Sequence, residues 1–230
     1  MESAKEIFKK IPSLDFASTR EAPLYSEYWS GPDSLRQGGF SPSAKTKNNK
    51  YWTNERWWNQ SGYWHGWTES LKNVFFNDKK ILELCKKSSL VDLGSGKGYA
   101  VLSFAIEWDF NKIIGVEINQ EYINICRNNI KLIKDALPTQ KLTEIVLIHQ
   151  NAEEFYFNKD VHVVFMFNPF GPKTTQNVCK NIINSLDENP REFYIIYENA
   201  NHRSIFLETG RFEIIHNVEN KKCFVLKSIR

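Results

Sequence analysis

The sequence of 230 residues is poor in cysteine, and its four cysteines lie far apart without a CxxC pair. Such spacing is typical neither of a disulfide framework nor of a zinc site. Three of the cysteines fall inside apolar runs, where a thiol behaves as a small hydrophobic group. We therefore expect free thiols, no metal, and a reducing location in the cytoplasm. The four are Cys85, Cys126, Cys179 and Cys223.

Long apolar runs and a strong excess of one charge are also missing. No stretch approaches the roughly 20 apolar residues that span a bilayer, and the N-terminus, MESAKEIFKKIPSL, lacks the apolar core of a signal peptide. The net charge is only +3, and basic residues alternate with acidic ones. A nucleic-acid surface usually shows clustered Lys and Arg. We expect no membrane partner, do not favour nucleic acid, and leave monomer and homodimer open.

From about residue 88 onward, short apolar runs alternate with helical patterns, which is typical of a parallel sheet with helices on both faces. A polar turn between Phe212–His216 and Cys223–Ser228 predicts a C-terminal antiparallel hairpin. Strand order alone would also suit a generic doubly wound α/β domain. The predicted strands before the hairpin are Leu90–Leu93, Ile113–Glu117, Ile145–His149, Val161–Phe167 and Glu192–Tyr197, and the predicted helices are Glu69–Cys85, Tyr99–Trp108, Gln120–Ala136 and Thr174–Leu186.

Residues 1–68 differ from the rest because they contain six of the seven tryptophans and little regular periodicity. We predict an aromatic-rich cap or arm here, with a short helix from about Ala4, and an α/β domain over residues 69–230. The aromatic side chains could form a lid over an acceptor molecule. They could equally form a satellite core that fastens the N-terminal arm to the sheet. The tryptophans are Trp29, Trp52, Trp57, Trp58, Trp64 and Trp67.

The segment VDLGSGKG, Val91 to Gly98, joins the first predicted strand to the next helix. Glycines permit close approach of a ligand to the backbone, and we expect free N–H groups at the helix start to face that ligand. A dinucleotide-binding loop would place its third glycine one position later, where this chain has Tyr99. Asp92 would repel a pyrophosphate and suits an ammonium group.

A second acid, Glu117, closes the second predicted strand, 25 residues after Asp92. A carboxylate in this position can accept hydrogen bonds from both hydroxyls of a ribose. A glycine-rich loop alone is weak evidence, because an ordinary tight turn also uses glycine. The loop together with both acids indicates a site for a nucleoside cofactor.

Four runs, VDLGSGKGYAVLSFA, IIGVEIN, FMFNPFGP and YIIYENA, resemble small bacterial class I methyltransferases that use S-adenosylmethionine (SAM). The DLGSG and GVE elements also resemble, more loosely, those of Dot1-type lysine methyltransferases. The resemblance extends from about Glu69 to the C-terminus. It implies a Rossmann-like methyltransferase sheet and SAM as the cofactor. It also implies in-line methyl transfer, with a nitrogen of a protein side chain or small molecule as the favoured acceptor.

The resemblance also implies roles for individual residues. Asp92 and the loop glycines would line the methionine moiety, Glu117 would bind the ribose, and Ile118 would pack on adenine. Relatives place an acid after the third strand to hold the adenine amino group, whereas this chain has Asn151-Ala152-Glu153. The complete predicted cofactor set is Asp92, Leu93, Gly94, Ser95, Gly96, Gly98, Glu117, Ile118, Asn151, Ala152, Glu153 and Asn168.

The run NPFGP, from Asn168 to Pro172, follows the fourth predicted strand, and ligands bind at the carboxyl ends of strands in open α/β sheets. Asn168 can accept a hydrogen bond from an attacking amine, Pro169 fixes the turn, and Phe170 can stack on a flat group. The run resembles the [DN]-P-P-[YF] motif of amino-methyltransferases with one proline missing, although it would also serve as a simple strand-ending turn. Glu198 could accept a proton or pair with a cationic acceptor, or be a helix cap or a solvated carboxylate.

Three functions remain open at this point. The first is an active methyltransferase with Asn168, Pro169, Phe170 and Glu198 at the acceptor. The second is a non-catalytic module that binds SAM or S-adenosylhomocysteine. The third is an oxidoreductase of the NAD type, which Tyr99 and the C-terminal hairpin disfavour.

Overall fold

A computed structural model describes residues 3–16, 78–218 and 223–229. The tryptophans of the predicted cap and residues 69–77 of the predicted helix Glu69–Cys85 lie outside these residues. The described helices are α1 (Ala4–Lys9), α2 (Lys79–Lys87), α3 (Tyr99–Glu107), α4 (Gln120–Ala136), α5 (Pro172–Glu188) and α6 (Ser204–Leu207). The strands are β1 (Ser89–Leu93), β2 (Lys112–Glu117), β3 (Glu144–His149), β4 (Val161–Phe167), β5 (Tyr194–Glu198), β6 (Phe212–Val218) and β7 (Cys223–Ser228).

The seven strands form one sheet in the order β3-β2-β1-β4-β5-β7-β6. Strands β1 to β5 pair in parallel, and β7 pairs antiparallel with both β5 and β6. The chain reverses its direction of travel across the sheet between β1 and β4, so the carboxyl ends of these strands form a crevice where α/β proteins bind ligands. The predicted mostly parallel sheet with an antiparallel C-terminal hairpin is confirmed.

Helices cover both faces of the sheet because successive side chains of a strand point to opposite faces. On β1, Val91 and Leu93 belong to the hydrophobic cluster that contains α5 and α6. Leu90 belongs to the opposite cluster, which contains residues of α2 and α3. Both clusters are composed of buried aliphatic and aromatic side chains, so the strands are apolar on both faces, as buried parallel strands usually are.

Element boundaries follow local capping and pairing. The predicted helix Gln120–Ala136 has the bounds expected, and the Asn119 side chain caps it by accepting from the N–H of Glu121 at 2.9 Å. Helix α5 begins at Pro172 rather than Thr174, because proline is favoured in the first turn, where its missing N–H costs nothing. Strand β5 begins at Tyr194 rather than Glu192, because its pairing with β4 starts there.

Arg191 holds together the ends of β4 and α5. Its guanidinium donates to the carbonyls of Val161 at 2.8 Å, Ser185 at 3.0 Å and Asn189 at 2.8 Å. Burial lowers the pKa of this side chain. The fork of five donors matches these acceptors, which a lysine cannot do.

We expect the substitution Arg191→Met to lower the free energy of unfolding by about 2–4 kcal/mol, because it removes three hydrogen bonds from a charged donor to partly buried carbonyls. Urea unfolding followed by circular dichroism would measure the change. Arg191→Lys is the matched variant and should recover only a small part of the loss. Unchanged stability of Arg191→Met would contradict this account of the arginine.

Candidate functional site

The loop from Gly94 to Gly98 leaves β1 with three glycines in the left-handed region, at φ 75° for Gly94, 53° for Gly96 and 86° for Gly98. Two of them also make contacts that exclude a side chain. A Cβ on Gly94 would lie 2.6 Å from Cβ of Pro169, and a Cβ on Gly98 would lie 2.1 Å from Sγ of Cys126. The glycines therefore let the loop pass closely over α4 and under the segment that follows β4.

The N–H groups of this loop donate within the protein. Gly94 and Ser95 donate to the carbonyl of Val116 at 2.9 and 3.0 Å, Gly96 donates to Oε2 of Glu117 at 2.9 Å, and Gly98 donates to the carbonyl of Ser95 at 3.0 Å. Closing the loop onto β2 therefore engages these four groups, and the prediction that N–H groups face a ligand concerns the start of α3 and stays a prediction. A pyrophosphate would not find these four donors available, which argues against a dinucleotide cofactor.

Glu117 is the polar centre of the crevice. It is 2% exposed, and its two carboxylate oxygens accept from different backbone groups, Oε2 from Gly96 and Oε1 from the N–H of Asn119 at 2.8 Å. Burial raises the pKa of this carboxyl, and the backbone hydrogen bonds oppose that rise. Each oxygen has a further lone pair. The carboxylate is thus rigidly aimed and can still accept from two hydroxyl groups.

Asp92 is buried one residue before the end of β1 and is 3% exposed. Burial, followed by the nearby charge of Glu117, raises the pKa of this carboxyl well above its ordinary value. Two acids buried near each other resist being charged together. A ligand that carries a positive charge would relieve this repulsion, whereas an anion would increase it.

We expect Asp92→Asn to stabilise the ligand-free protein and to weaken its binding of a positively charged ligand about tenfold. Because folding raises its pKa, Asp92 holds a proton more tightly in the folded chain, so its contribution to stability falls as the pH rises through that raised pKa. At a pH above the raised pKa of Asp92, the melting temperature of Asp92→Asn should therefore exceed that of the wild type. At a pH below this pKa the two melting temperatures should match. A loss of a hydrogen bond to a charged group accounts for about tenfold in affinity. A lower melting temperature of the variant at every pH would contradict this interpretation.

A pocket opens beside Glu117 at the carboxyl ends of the strands. Its wall includes eight of the predicted residues, Gly94, Glu117, Ile118, Asn151, Ala152, Glu153, Pro169 and Phe170. It also includes five that were not predicted, Val116, Asn119, Gln150, Gly171 and Thr174. Each of these five lies next to or near a predicted position in the sequence, which is the signal that could have indicated them. The other predicted residues lie off this wall: Asp92, Leu93, Ser95, Gly96, Gly98, Asn168 and Glu198.

Two of those residues face the protein interior. Leu93 is 0% exposed and packs in the cluster beneath α5. Ser95 has a buried hydroxyl that has no hydrogen-bond partner in the described part of the chain. A Cβ on Gly115 would lie 3.0 Å from this hydroxyl oxygen, so the Ser95 side chain points at β2 and not into the pocket.

The segment after β3 is held by its own polar groups. Oδ1 of Asn151 accepts from the N–H of Glu153 at 3.1 Å and caps a short 3₁₀ helix, Ala152–Glu154. The carboxylate of Glu153 accepts from Thr174 at 2.5 Å and from Asn177 at 2.8 Å, both on α5. Glu153 therefore joins this segment to α5, and the amide of Asn151 keeps a lone pair for a ligand.

The segment that follows β4 meets the glycine loop. Asn168 has a left-handed backbone, φ 41°, which asparagine tolerates better than most residues. Its Oδ1 accepts from the Tyr197 hydroxyl at 3.4 Å, and Pro169 packs on Gly94. On the neighbouring strand, Glu198 pairs in register with Phe167 and is 0% exposed, which excludes a solvated carboxylate.

This sheet, with its antiparallel β7 and a pocket at the carboxyl ends, defines a Rossmann-like methyltransferase fold. A solved SAM-dependent methyltransferase from Methanosarcina mazei is similar, with 12% identity, a TM-score of 0.49, and coverage of 66% of this chain and 97% of the other. The StiE O-MT structure is similar with 11% identity and a TM-score of 0.50, over 70% of this chain and 74% of the other. Such likeness concerns the fold.

The family is shown by sequence. The family model of the histone methylation protein DOT1 matches residues 53–187, which is more than half of the chain. The chain therefore belongs to the DOT1 family of class I methyltransferases, whose cofactor is SAM. A search of the curated proteins finds no match.

Two further observations concern only the described ranges. None of their helices combines the length and apolar character needed to cross a bilayer. Within the same ranges no three His, Cys, Asp or Glu side chains are grouped as metal ligands. All four cysteines are buried thiols, and burial raises the pKa of Cys85, Cys126 and Cys179 to about 12.

Proposed function

We propose that this chain binds SAM in the pocket beside Glu117 and transfers its methyl group to a nitrogen atom. The observation that carries the proposal is the carboxylate of Glu117, which is fixed by Gly96 and Asn119 and retains acceptors for both ribose hydroxyls. Ile118 and Ala152 on the pocket wall would pack on adenine, and Asn151 would accept from its amino group.

The methionine end of SAM would extend towards the start of α3. Gly94 and Gly96 would border it, and the buried carboxylate of Asp92 would attract its ammonium group, directly or through water. The positive sulfonium would also lie near Asp92 and Glu117. Ligand binding would thereby offset the repulsion between these two acids.

The acceptor end of the site is formed by the segment after β4. Pro169 touches Gly94, so Asn168 and Phe170 stand beside the glycine loop. The nitrogen lone pair of the acceptor attacks the methyl carbon while the carbon–sulfur bond breaks, and its electron pair stays on sulfur as S-adenosylhomocysteine leaves. Asn168 would accept an N–H hydrogen bond that aims the lone pair, and Phe170 would cover the reacting groups.

A protein side chain is the acceptor we favour. The matched family is described by its methylation of histones, and Asp92, Glu117 and Glu198 give this end of the sheet acidic character suited to an amine. A small-molecule amine fits the same chemistry. After transfer the nitrogen must release a proton, which can pass to water or to Glu198.

A non-catalytic module that binds SAM or S-adenosylhomocysteine is the second candidate. The left-handed Asn168 favours catalysis, since strained backbone at a strand end often marks a functional position. An NAD-type oxidoreductase is disfavoured because the four loop N–H groups are already engaged.

Titration calorimetry with SAM, S-adenosylhomocysteine and NAD tests the cofactor. We expect binding of the first two and none of NAD, and binding of NAD alone would refute the proposal. Incubation with methyl-labelled SAM and separate fractions of histones, total protein and small molecules tests the acceptor. Label in the protein fraction supports the favoured acceptor, label in the small-molecule fraction supports the other, and binding without transfer supports the non-catalytic module.

A further inference from the structure

The described N-terminal residues, 3–16, contact the Gly94–Gly98 loop, here called the cofactor loop, and the start of α3 at one position each. These positions are Lys97, between two loop glycines, and Tyr99, where a dinucleotide-binding loop has its last glycine. The rings of Phe8 and Phe16 each lie 5.1 Å from the ring of Tyr99, measured between centroids. The three rings form one cluster, because Phe8 and Phe16 are themselves 5.0 Å apart.

Asn129 of α4 bonds to both the N-terminal residues and the loop. Its Oδ1 accepts from the N–H of Asp15 at 3.0 Å, and its Nδ2 donates to the carbonyl of Asp15 at 2.9 Å. The same Nδ2 donates to the carbonyl of Lys97 at 3.1 Å. Asn129 is 0% exposed. A buried amide must find its partners within the protein, so its bonding depends on Asp15 being in place.

The side chain of Lys97 makes the second link. Its ammonium lies 2.8 Å from Oδ1 of Asp15 and is drawn towards the N-terminal residues. Lys97 is only 8% exposed, and a buried ammonium is costly without a partner. It also lies in a loop that we propose accommodates a positively charged ligand. Asp15 therefore offsets a charge that would otherwise oppose binding of that ligand.

The geometry of the cofactor loop connects the contact at Lys97 with the Glu117 carboxylate. Gly96, next to Lys97, donates to Glu117, and Gly98 on the other side packs on Cys126. Movement of Lys97 would be passed to the Gly96–Glu117 hydrogen bond. The N–H that fixes the ribose-binding carboxylate is thus one residue from the contact with Asp15.

We propose that Asp15, Asn129 and Lys97 form a latch through which residues 3–16 hold the cofactor loop in its binding geometry. The three are positioning residues and need not touch the cofactor themselves. This inference rests on the proposed function, because it concerns binding of SAM. It predicts that docking of residues 3–16 and binding of SAM strengthen each other, since coupling between two sites is reciprocal.

Calorimetric titration with SAM tests the latch in the full chain. We expect Asp15→Asn to weaken SAM binding about tenfold, because the buried Lys97 ammonium loses its charged partner, and Asn129→Ala to weaken it at least as much. Lys97→Met should weaken SAM binding less, because methionine carries no charge that Asp15 would have to neutralise. Combining it with Asp15→Asn should add little, because the two changes break the same link.

Two variants control for general loss of stability. Arg191→Met lowers stability far from the latch and should leave the SAM dissociation constant unchanged. Asp135→Asn removes an exposed ion pair with Lys131 on the same helix as Asn129, at 2.9 Å in the wild type, and should also leave it unchanged.

Hydrogen–deuterium exchange distinguishes the latch from residues that only stabilise the fold, because only the latch predicts a change on addition of SAM. Addition of SAM should slow exchange of the amides in residues 3–16 of the wild type, and this protection should be lost in Asn129→Ala. The latch is refuted when the wild type binds SAM and the latch variants bind it equally well, or when affinity merely follows melting temperature as in Arg191→Met. A wild type that binds no SAM refutes the proposed function, and the latch with it.

Discussion

Replacement of Glu117 by glutamine is expected to weaken SAM binding by about 100-fold while leaving the fold intact. The wild-type carboxylate accepts from Gly96 at one oxygen and from Asn119 at the other. A glutamine has only one oxygen, so its NH₂ group would face one of these two N–H donors. Loss of that bond and of a charged acceptor for a ribose hydroxyl costs about 3 kcal/mol in total, which corresponds to roughly 100-fold in affinity.

Glu154→Gln is the matched control, since this glutamate ends the short 3₁₀ helix after β3 and is exposed. Calorimetry should show wild-type affinity for it. The melting temperature of Glu117→Gln in the absence of ligand should change little, because the substitution also removes a buried charge. Affinity of Glu117→Gln within threefold of the wild type would place the ribose elsewhere and would remove the main support for the proposed cofactor geometry.

The parts of the site that could be predicted are those in which local sequence determines backbone conformation. The run VDLGSGKG is the end of a strand followed by a loop with three glycines. All three glycines have the left-handed backbone conformation that favours glycine. The end of β2 is equally clear, because Glu117 is an acid that closes an apolar run. The alternation of apolar runs also predicted how strands and helices follow one another along the chain, and a polar turn predicted the C-terminal hairpin, whose place at the edge of the sheet is shown by the structure.

What could not be predicted depends on contacts between distant segments. The N–H groups of Gly94, Ser95 and Gly96 donate to Val116 and Glu117, which are about 20 residues away in sequence. Glu153 looked like a candidate for adenine, yet its carboxylate bonds to α5, and only the packed helix shows this. Ser95 was included in the predicted cofactor set, whereas its hydroxyl is buried against β2.

The same reasoning explains why Asp15 and Asn129 could not be recognised in the sequence. They are 114 residues apart, and neither belongs to a motif. The signal that was present is the identity of Lys97 in the loop and of Tyr99 at the start of α3. Both side chains are bulky for a glycine-rich turn, and both contact the described N-terminal residues.

Substitution of Asn168 is expected to reduce kcat about 100-fold with the SAM dissociation constant within about threefold of the wild type. The loss would come from the hydrogen bond that orients the acceptor nitrogen, and single positioning or polar groups of this kind contribute about 100-fold. Alanine is strained at φ 41°, so Asn168→Gly removes the amide without that strain and should be equally slow. Asn168→Asp keeps an oxygen acceptor and should recover part of the rate. Single-turnover methyl transfer to the fraction that takes up label measures each variant. Full turnover by Asn168→Gly would show that the NPFGP run is only a turn that presses Pro169 against Gly94, and the acceptor would then have to be oriented by other groups such as Glu198.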